Sequence, residues 1–265
     1  MVLTGVQKKD VLIIEDSNAV IILLRQFLER LDYQKIHACE DGKSGIIKFK
    51  ELVKTNNIPI VLLDYNLPDM NAFSVITQLL TIHPETKVVI ETASEKSEEG
   101  IKKMIAYGAH HYLPKPIRFE KLEEIMNILE VEEQEIKTKK LHDRLDELLK
   151  SNSKISLFRL SQSTKADSQE VLAYLEELES VGKVSRIDEI KEISCNSCGS
   201  VIIAQIFHCP SCNRSNFKQD ENSYICNDCN EKFSEPSSEL LCLRCNNKFK
   251  AENIIWQTSQ GFKLN

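Results

Sequence analysis

The sequence predicts an α/β doubly wound domain of five parallel strands and five helices, followed by a helical linker, a small helical module and cysteine-rich β structure. Two observations support this order. Over residues 1–130, short apolar runs alternate with stretches of helical period, and eight of the nine cysteines lie after residue 194. At 265 residues the chain is too long for a single hydrophobic core, so we expect two domains or three.

Short apolar runs mark the strands of the first domain. The predicted strands are Val11–Ile14, Lys35–Ala38, Ile60–Leu63, Lys87–Ile90 and His111–Leu113. The predicted helices are Asn18–Leu31, Lys43–Lys54, Ala72–Ile82, Lys96–Tyr107 and Phe119–Leu129. Strands that alternate with helices in this way are typical of a parallel sheet with helices packed on both faces.

Polar residues follow several of these strands at the point where each strand ends. Glu15 and Asp16 come after the first strand, Asp64 after the third, Thr92 after the fourth and Lys115 after the fifth. In open α/β sheets the ligand site lies outside the carboxyl ends of the strands, so we expect these side chains to converge. Three carboxylates in one crevice repel one another, and a hard divalent cation such as Mg²⁺ relieves that repulsion.

These residue types match the requirements of phosphoryl transfer. That reaction needs an oxygen nucleophile, a metal ion, and further positive charge or hydrogen-bond donors on the transferred oxygens. Asp64 is the candidate nucleophile and Asp16 a metal ligand. Lys115 is the candidate cation, and Thr92 is the candidate hydroxyl donor.

Longer motifs around these residues resemble the receiver domain of two-component response regulators. The motifs are Glu15-Asp16, Leu63-Asp64, Leu67-Pro68-Asp69-Met70, Thr92-Ala93 and Tyr112-Leu113-Pro114-Lys115-Pro116. The resemblance covers about residues 8–130. It implies that a histidine kinase is the phosphodonor and that Asp64 is the phosphorylated residue.

The resemblance also implies roles for the neighbouring residues. It assigns Mg²⁺ to Asp16, Asp64 and the backbone carbonyl of Asn66, with Glu15 acting mainly through water. It implies that Thr92 and Tyr112 move together on phosphorylation, and that the Lys115–Pro116 peptide bond is commonly cis. One residue departs from the family pattern: Ala72 stands where a glycine is usual, which removes easy access to positive φ, so the loop there is expected to differ.

The segment after this domain is predicted to be helical. Residues 119–150 contain no Gly or Pro, and apolar residues recur at helical spacing. Extending the apolar phase as a heptad brings Glu132 and Lys139 to core positions, which favours a signalling helix or two joined helices over a stable coiled coil. We divide the chain into a phosphoacceptor domain at 1–130, a helical linker at 131–150, a small module at 151–190 and a cysteine-rich domain at 191–265.

The order of elements in residues 151–190 resembles a winged helix-turn-helix. We predict a strand-like segment at Lys154–Ser156, a helix at Leu157–Ser163, a second helix from an N-cap at Asp167 or Ser168 to just before Gly182, and a wing strand at Val184–Ile187. The second helix carries four glutamates and no Lys or Arg, and this charge opposes entry into a DNA groove: Glu170, Glu176, Glu177 and Glu179. A small helical packing module is the alternative interpretation.

The C-terminal cysteines form four Cys-x-x-Cys knuckles. The pairs are Cys195/Cys198, Cys209/Cys212, Cys226/Cys229 and Cys242/Cys245. Two knuckles make one tetrahedral four-thiolate site, so we predict two Zn²⁺ ions bound in zinc-ribbon-like structure, with an iron centre as a minor alternative. The spacing leaves sequential, nested and interleaved pairings open, although the two middle knuckles look like a self-contained ribbon.

Two details accompany the knuckles. The residue after each knuckle is of a type that tolerates left-handed backbone, which suits a chain turning back on a metal: Gly199, Asn213, Asn230 and Asn246. His208 precedes Cys209 and is an alternative ligand, but eight thiolates are sufficient without it. A receiver followed by such a segment is similar to the metal-binding output domains of response regulators in ammonia-oxidising and related archaea.

Composition restricts the function further. The net charge is −6 and no segment is basic, so we do not expect the chain to grip nucleic acid by charge alone. We see no signal peptide, no membrane span, and no nucleophile–base pair or phosphate loop after residue 130; we therefore expect a cytoplasmic protein that is not an enzyme. The prediction is a response regulator whose zinc-bearing half binds another protein, with the transcription machinery as one candidate partner. DNA binding through the winged-helix and zinc-ribbon region is the alternative, and homodimer formation is compatible with both.

Overall fold

The computed structural model describes residues 8–93, 105–220 and 222–265. It divides into two compact units, Met1–Gln134 and Glu135–Asn265, which are described separately. Most of the helix predicted at Lys96–Tyr107 lies outside the described residues.

The first unit contains a five-stranded parallel sheet in the order β2-β1-β3-β4-β5. Its strands are β1 Val11–Ile14, β2 Ile36–Cys39, β3 Ile60–Asp64, β4 Val88–Thr92 and β5 His111–Pro114. The five predicted strands are confirmed, with differences only at their ends. This topology brings the carboxyl ends of β1, β3, β4 and β5 to one edge of the sheet.

Helices cover both faces of this sheet. They are α1 Asn18–Arg30, α2 Gly42–Lys54 and α3 Ala72–Ile82. The side chains of Asp41 and Asn71 cap α2 and α3 by accepting hydrogen bonds from the backbone N–H groups of Ser44 and Ser74, each at 2.8 Å. Ala72 is simply the first residue of α3 and has no positive φ, so the missing glycine imposes no backbone strain at this position.

One continuous helix, α4, runs from Phe119 to Ser151. Of the arrangements considered from the sequence, the structure shows a single helix and not two joined ones. In the first unit Leu122 and Leu129 of α4 are buried against α1 and the sheet. In the second unit Leu145 and Leu149 are buried in a separate core. The same helix thus contributes to the hydrophobic core of each unit.

After the end of α4, the second unit continues with two helices, α5 Leu157–Thr164 and α6 Ser168–Ser180, which we call the helix pair. The strands β6 Ile155–Ser156 and β7 Val184–Ser194 precede and follow this pair in the chain. Asp167 caps α6 by accepting from the backbone N–H of Gln169 at 2.8 Å. The wing strand predicted at Val184–Ile187 is longer than expected and continues to Ser194, because its partner strand is contributed by the distant C-terminus.

Six short strands follow β7. They are β8 Ile203–His208, β9 Phe217–Asp220, β10 Ser223–Cys226, β11 Lys232–Phe233, β12 Ser237–Cys242 and β13 Lys248–Phe249. They form two three-stranded antiparallel sheets, β11-β10-β9 and β13-β12-β8. The residues that follow the four knuckles all have positive φ, between 58° and 70°, which confirms the left-handed backbone expected at Gly199 and the three asparagines.

The final strand, β14 Ile255–Leu264, returns to the helix pair. It pairs antiparallel with β7 from Ile255↔Ser194 to Leu264↔Val184, and with β6 on its other side. The sequence division assigned residues 191–265 to one cysteine-rich domain, and the structure differs there. Residues 191–194 and 255–264 belong to the sheet of the helix pair, and the cysteine-rich segment is an insertion between β7 and β14. Pairing between strands so far apart leaves no local sequence pattern.

Gly261 lies close to β7, at the register shift between Ser259 and Gly261 of β14. A Cβ at this position would be 2.7 Å from the backbone oxygen of Asp188 and 2.7 Å from the Ile187 side chain. Gly261→Ala must therefore displace backbone, and we expect it to destabilise the second unit by about 1–3 kcal/mol in urea unfolding of the metal-loaded chain. Lys263→Ala, at an exposed position of the same strand, is the control and should change stability by less than about 0.5 kcal/mol. Equal stability of the two variants would contradict the close approach.

Candidate functional site

The carboxyl ends of β1, β3 and β5 bring three predicted residues into direct contact. Lys115 Nζ donates to Glu15 Oε2 at 2.6 Å and to Asp64 Oδ1 at 2.7 Å. Both carboxylates are buried, with Glu15 1% and Asp64 5% exposed. The ammonium therefore neutralises part of a charge that the sheet edge would otherwise leave uncompensated.

Asp16 completes an acidic cluster. Oxygen atoms of Glu15, Asp16 and Asp64 lie within 4.8 Å of one another, and the Asp16 side chain is exposed to solvent. Carboxylate oxygens at this separation, with one of them open to water, are a donor set that fits a hard divalent cation which keeps part of its water shell. Asn66, the remaining predicted Mg²⁺ ligand, lies in the loop after β3, where it forms an isolated bridge with Asn71.

The two predicted switch residues lie on adjacent strands. Thr92 ends β4 and is 4% exposed, whereas Tyr112 on β5 is 39% exposed. In the register of β4 and β5, Ile90 pairs with Tyr112 and Thr92 pairs with Pro114. The Lys115–Pro116 bond is cis, as the resemblance implied.

Glu91 is a site residue that the sequence analysis missed. It is completely buried and pairs in register with Asp64 of β3. Its Oε2 lies 3.9 Å from Lys115 Nζ, and within the described residues neither of its carboxyl oxygens has a hydrogen-bond partner. A glutamate directly after the buried run Val88–Ile90 was the available signal, because a charge in such a strand needs a reason to be there.

Burial, reinforced by the nearby charges of Glu15 and Asp64, raises the pKa of Glu91 to about 8, despite the opposing charge of Lys115. The folded protein therefore keeps a proton on Glu91 at pH values where the unfolded chain, with its ordinary carboxyl pKa, has already lost it. Stability from this group is present at low pH and is lost as the pH rises towards 8.

We expect Glu91→Gln to remove this pH dependence. In Mg²⁺-free buffer, the free energy of unfolding of the wild-type first unit should fall by ~2–5 kcal/mol between pH 5 and pH 8 relative to the variant. Urea unfolding followed by circular dichroism at several pH values measures the difference. Parallel pH profiles of the two proteins would show that Glu91 does not carry the shift.

The eight C-terminal cysteines form two clusters. The outer cluster is Cys195, Cys198, Cys242 and Cys245, and the inner cluster is Cys209, Cys212, Cys226 and Cys229. The sulfur atoms of facing cysteines are 3.5 to 3.7 Å apart, and none of the eight cysteines forms a disulfide. A tetrahedral Zn²⁺ site with Zn–S bonds of ~2.3 Å has S–S edges of about 3.8 Å, so the thiols have the spacing of a metal site. The structure brings the knuckles together in the nested arrangement.

The pKa values of the thiols differ within each cluster. Although backbone N–H groups donate to Cys229 and Cys245, desolvation and hydrogen bonds with neighbouring thiols raise the pKa of each to about 12. Burial raises the pKa of Cys195, but backbone N–H groups of Ser197 and Cys198 outweigh it and lower the pKa to about 6. The same combination, with N–H groups of Asp228 and Cys229, lowers the pKa of Cys226 to about 7. His208 is not part of the inner cluster; its Nε2 lies 3.2 Å from Glu239 Oε2.

Hydrogen bonds connect the outer cluster to the helix pair. Gln162 of α5 accepts from Ser200 Oγ at 2.9 Å and from the backbone N–H of Val201 at 2.8 Å. Arg159 donates to the backbone oxygen of Val201 at 3.0 Å and pairs with Glu192 of β7 at 2.5 Å. The segment after the first knuckle is thus held by the side chains of α5, whereas no such contact to the helix pair is seen for the inner cluster in the described part of the chain.

Comparison with known proteins gives a consistent result for the first unit. Residues 11–127 match the family model of the response regulator receiver domain. The chain is 32% identical over 120 residues to the chemotaxis protein CheY of Treponema pallidum (strain Nichols), covering 45% of this chain and 81% of that protein. It is 30% identical over 174 residues to the probable C4-dicarboxylate response regulator DctR of Halalkalibacterium halodurans, covering 63% of this chain and 73% of that protein.

A similar solved structure is the response regulator receiver domain protein (CheY-like) from Methanospirillum hungatei JF-1. The two sequences are 26% identical, and the aligned region covers 48% of this chain and 98% of the Methanospirillum chain, with a TM-score of 0.42. None of the described helices has both the length and the apolar character needed to cross a bilayer.

Proposed function

Because this chain belongs to the response regulator receiver domain family, we propose that Asp64 accepts a phosphoryl group from a histidine kinase and that the second unit carries the signal to a protein partner. One observation supports the acceptor assignment above all. Lys115 joins Asp64 to Glu15 beside Asp16, so the nucleophile, the cation and the metal-binding carboxylates occupy one cluster.

The proposed reaction transfers a phosphoryl group from a histidine nitrogen of the kinase to a carboxylate oxygen of Asp64. A carboxylate oxygen of Asp64 attacks the phosphorus of the kinase phosphohistidine, the P–N bond breaks, and an acyl phosphate forms on Asp64. A Mg²⁺ ion held by Asp16, Asp64 and the Asn66 carbonyl, with Glu15 acting through water, would supply positive charge for the transferred oxygens. In this proposal Lys115 Nζ and the Thr92 hydroxyl donate hydrogen bonds to the same oxygens. When Thr92 moves towards the phosphoryl group, Tyr112 changes position with it.

For the second unit we propose a winged helix whose wing carries two zinc ribbons. The order β6, α5, α6, β7 and β14 supports the winged-helix assignment, because β7 and β14 form the wing hairpin. The spacing of the sulfur atoms supports one Zn²⁺ in the outer cluster and one in the inner cluster. In this proposal the metals are structural, because each site has four thiolates and no open position.

Charge supports a protein partner over DNA. The helix α6 carries four glutamates and no Lys or Arg, and Arg186 of β7 already pairs with Glu176 and Glu179 at 2.8 Å each. A phosphate backbone therefore meets net negative charge along α6. The alternative, a DNA-binding transcriptional regulator, rests on the order of the winged-helix elements. A cytoplasmic location and homodimer formation remain parts of the proposal.

Cross-linking of the phosphorylated full-length protein in its native extract tests the output. We expect a polypeptide to be captured, and capture should fall when Asp64→Asn replaces the wild type. If the cross-linked material is DNA without a polypeptide partner, the protein-binding output is wrong and the alternative is favoured.

A further inference from the structure

A cleft of about 830 Å³ opens within the second unit, between the α5–α6 turn and the outer cluster. One wall comes from α5 and the turn, including Phe158 and Lys165. The other comes from two knuckle segments, including Gly199 and Arg244. A cavity of this size is within the range of pockets that enclose a ligand or several side chains of a partner.

The charge of this cleft differs from that of the chain as a whole. The protein has 40 acidic residues against 34 basic ones, yet no Asp or Glu lines the cleft, while Lys165 and Arg244 do. Every other arginine of the second unit pairs with a carboxylate: Arg144, Arg159, Arg186 and Arg214. Within the described residues Arg244 forms no ion pair, and neither does Lys165. Both cations are therefore available to an external anion.

Other side chains in the cleft are also available. Ser163 and Gln257 line it and form no side-chain hydrogen bond in the part of the chain that the structure describes. Gln162 and Ser200, by contrast, are hydrogen-bonded to each other. The cleft lining thus contains one hydrogen-bonded polar pair, Gln162 and Ser200, and two polar side chains, Ser163 and Gln257, that can donate to a ligand.

Lys165 is held in a conformation that suits glycine better. It ends α5 in the left-handed region, with φ 60°. A non-glycine residue there costs on the order of 1 kcal/mol, which the surrounding turn must offset. Because this position holds a lysine and not a glycine, its ammonium group is part of the cleft lining.

Apolar side chains complete the walls. Phe158, Ala166 and Ile202 contribute carbon surface, and Leu243 is 57% exposed beside Arg244. A ligand that satisfies both halves of the cleft must combine an apolar group with negative charge. A simple inorganic anion would leave the apolar surface of the cleft exposed to water. A purely apolar ligand would leave Lys165 and Arg244 without an anionic partner.

We propose that this cleft binds a short acidic segment of the partner protein, in which an apolar side chain fills the cleft and flanking carboxylates reach Lys165 and Arg244. The proposal rests on the proposed protein-binding output and names the chemistry of its ligand. It places recognition at the junction of the helix pair and the outer cluster, and not on the exposed face of α6.

A nucleic acid fits the same cleft less well. A strand that continued past it along α6 would meet Glu170 and the glutamates beyond it. Two cations suffice for two carboxylates of a short segment, whereas a polyanion needs positive charge along its whole path.

Selection from a random peptide library displayed on phage, using the full-length Zn²⁺-loaded protein as bait, tests this proposal. We expect enrichment of peptides that combine Asp or Glu with Leu, Ile or Phe. The affinity of a selected peptide, measured by fluorescence anisotropy, should fall about tenfold or more for the double variant Lys165→Glu/Arg244→Glu. The double variant Lys150→Glu/Lys263→Glu, at exposed positions of the same unit that do not line the cleft, has the same charge change and should bind like wild type.

Leu243→Ser tests the apolar half without changing charge, and because Leu243 is exposed the fold should tolerate it. We expect it to weaken the same peptide. No enrichment, enrichment of non-acidic peptides, equal loss in both double variants, or tighter binding of an oligonucleotide than of any peptide would overturn the proposal. Failure of the cleft is distinguishable from failure of the protein-binding output: a polypeptide cross-linked equally by wild type and Lys165→Glu/Arg244→Glu keeps the output and rejects the cleft.

Discussion

Replacing Asp64 with asparagine is expected to abolish labelling of the protein by acetyl phosphate while leaving the fold intact. Asparagine has nearly the shape of aspartate but no carboxylate oxygen to attack phosphorus, so no acyl phosphate can form. The change also removes one negative charge from a cluster that contains Glu15 and Asp16, which lowers the repulsion between the remaining carboxylates, so the fold should persist. Labelling with radioactive acetyl phosphate and intact-protein mass spectrometry measure the effect.

Asp69→Asn is the matched control for this experiment. Asp69 lies in the loop after β3, but its carboxylate accepts from the backbone N–H groups of Gly42 and Lys43, at 2.9 and 3.0 Å, and is not part of the acidic cluster. We expect this variant to be labelled. Labelling of Asp64→Asn at the wild-type level would mean that another residue accepts the phosphoryl group.

The second large effect concerns the two cysteine clusters, which we expect to contribute unequally to the fold. Elemental analysis should find about two Zn²⁺ per wild-type chain, one for each cluster. Structural zinc sites supply ~10–16 kcal/mol of binding free energy that stabilises the folded state. Loss of either ion should therefore unfold the segment that contains its four cysteines. Cys198→Ser and Cys229→Ser, which change one exposed cysteine in each cluster, should each lower the content to about one.

The two variants should differ in how far the damage spreads. Gln162 and Arg159 connect α5 to the segment after Cys198, so loss of the outer ion should increase hydrogen exchange in α5 as well as in the knuckles. Loss of the inner ion should leave α5 protected. Wild-type zinc content near zero or one would refute the paired clusters, and equal exchange in α5 for both variants would refute the connection.

Local sequence determined much of the first unit. The strands and helices of the sheet follow from apolar runs and helical periods, which depend on neighbouring residues and are therefore legible in one segment at a time. The cluster of Glu15, Asp64 and Lys115 was also predictable, because these residues lie at or just after the ends of parallel strands, which meet at one edge of the sheet. The clustering of the eight cysteines was also predictable, because Cys-x-x-Cys pairs have the residue type and spacing of a four-thiolate site.

Only the tertiary structure decided how distant segments combine. The nested pairing of the knuckles, the return of Ile255–Leu264 to β7, and the burial of Glu91 beside Lys115 each depend on contacts between residues far apart in the chain. Side-chain chemistry and local periodicity are encoded residue by residue, whereas the choice among several sterically possible long-range pairings depends on the free energy of the whole folded chain.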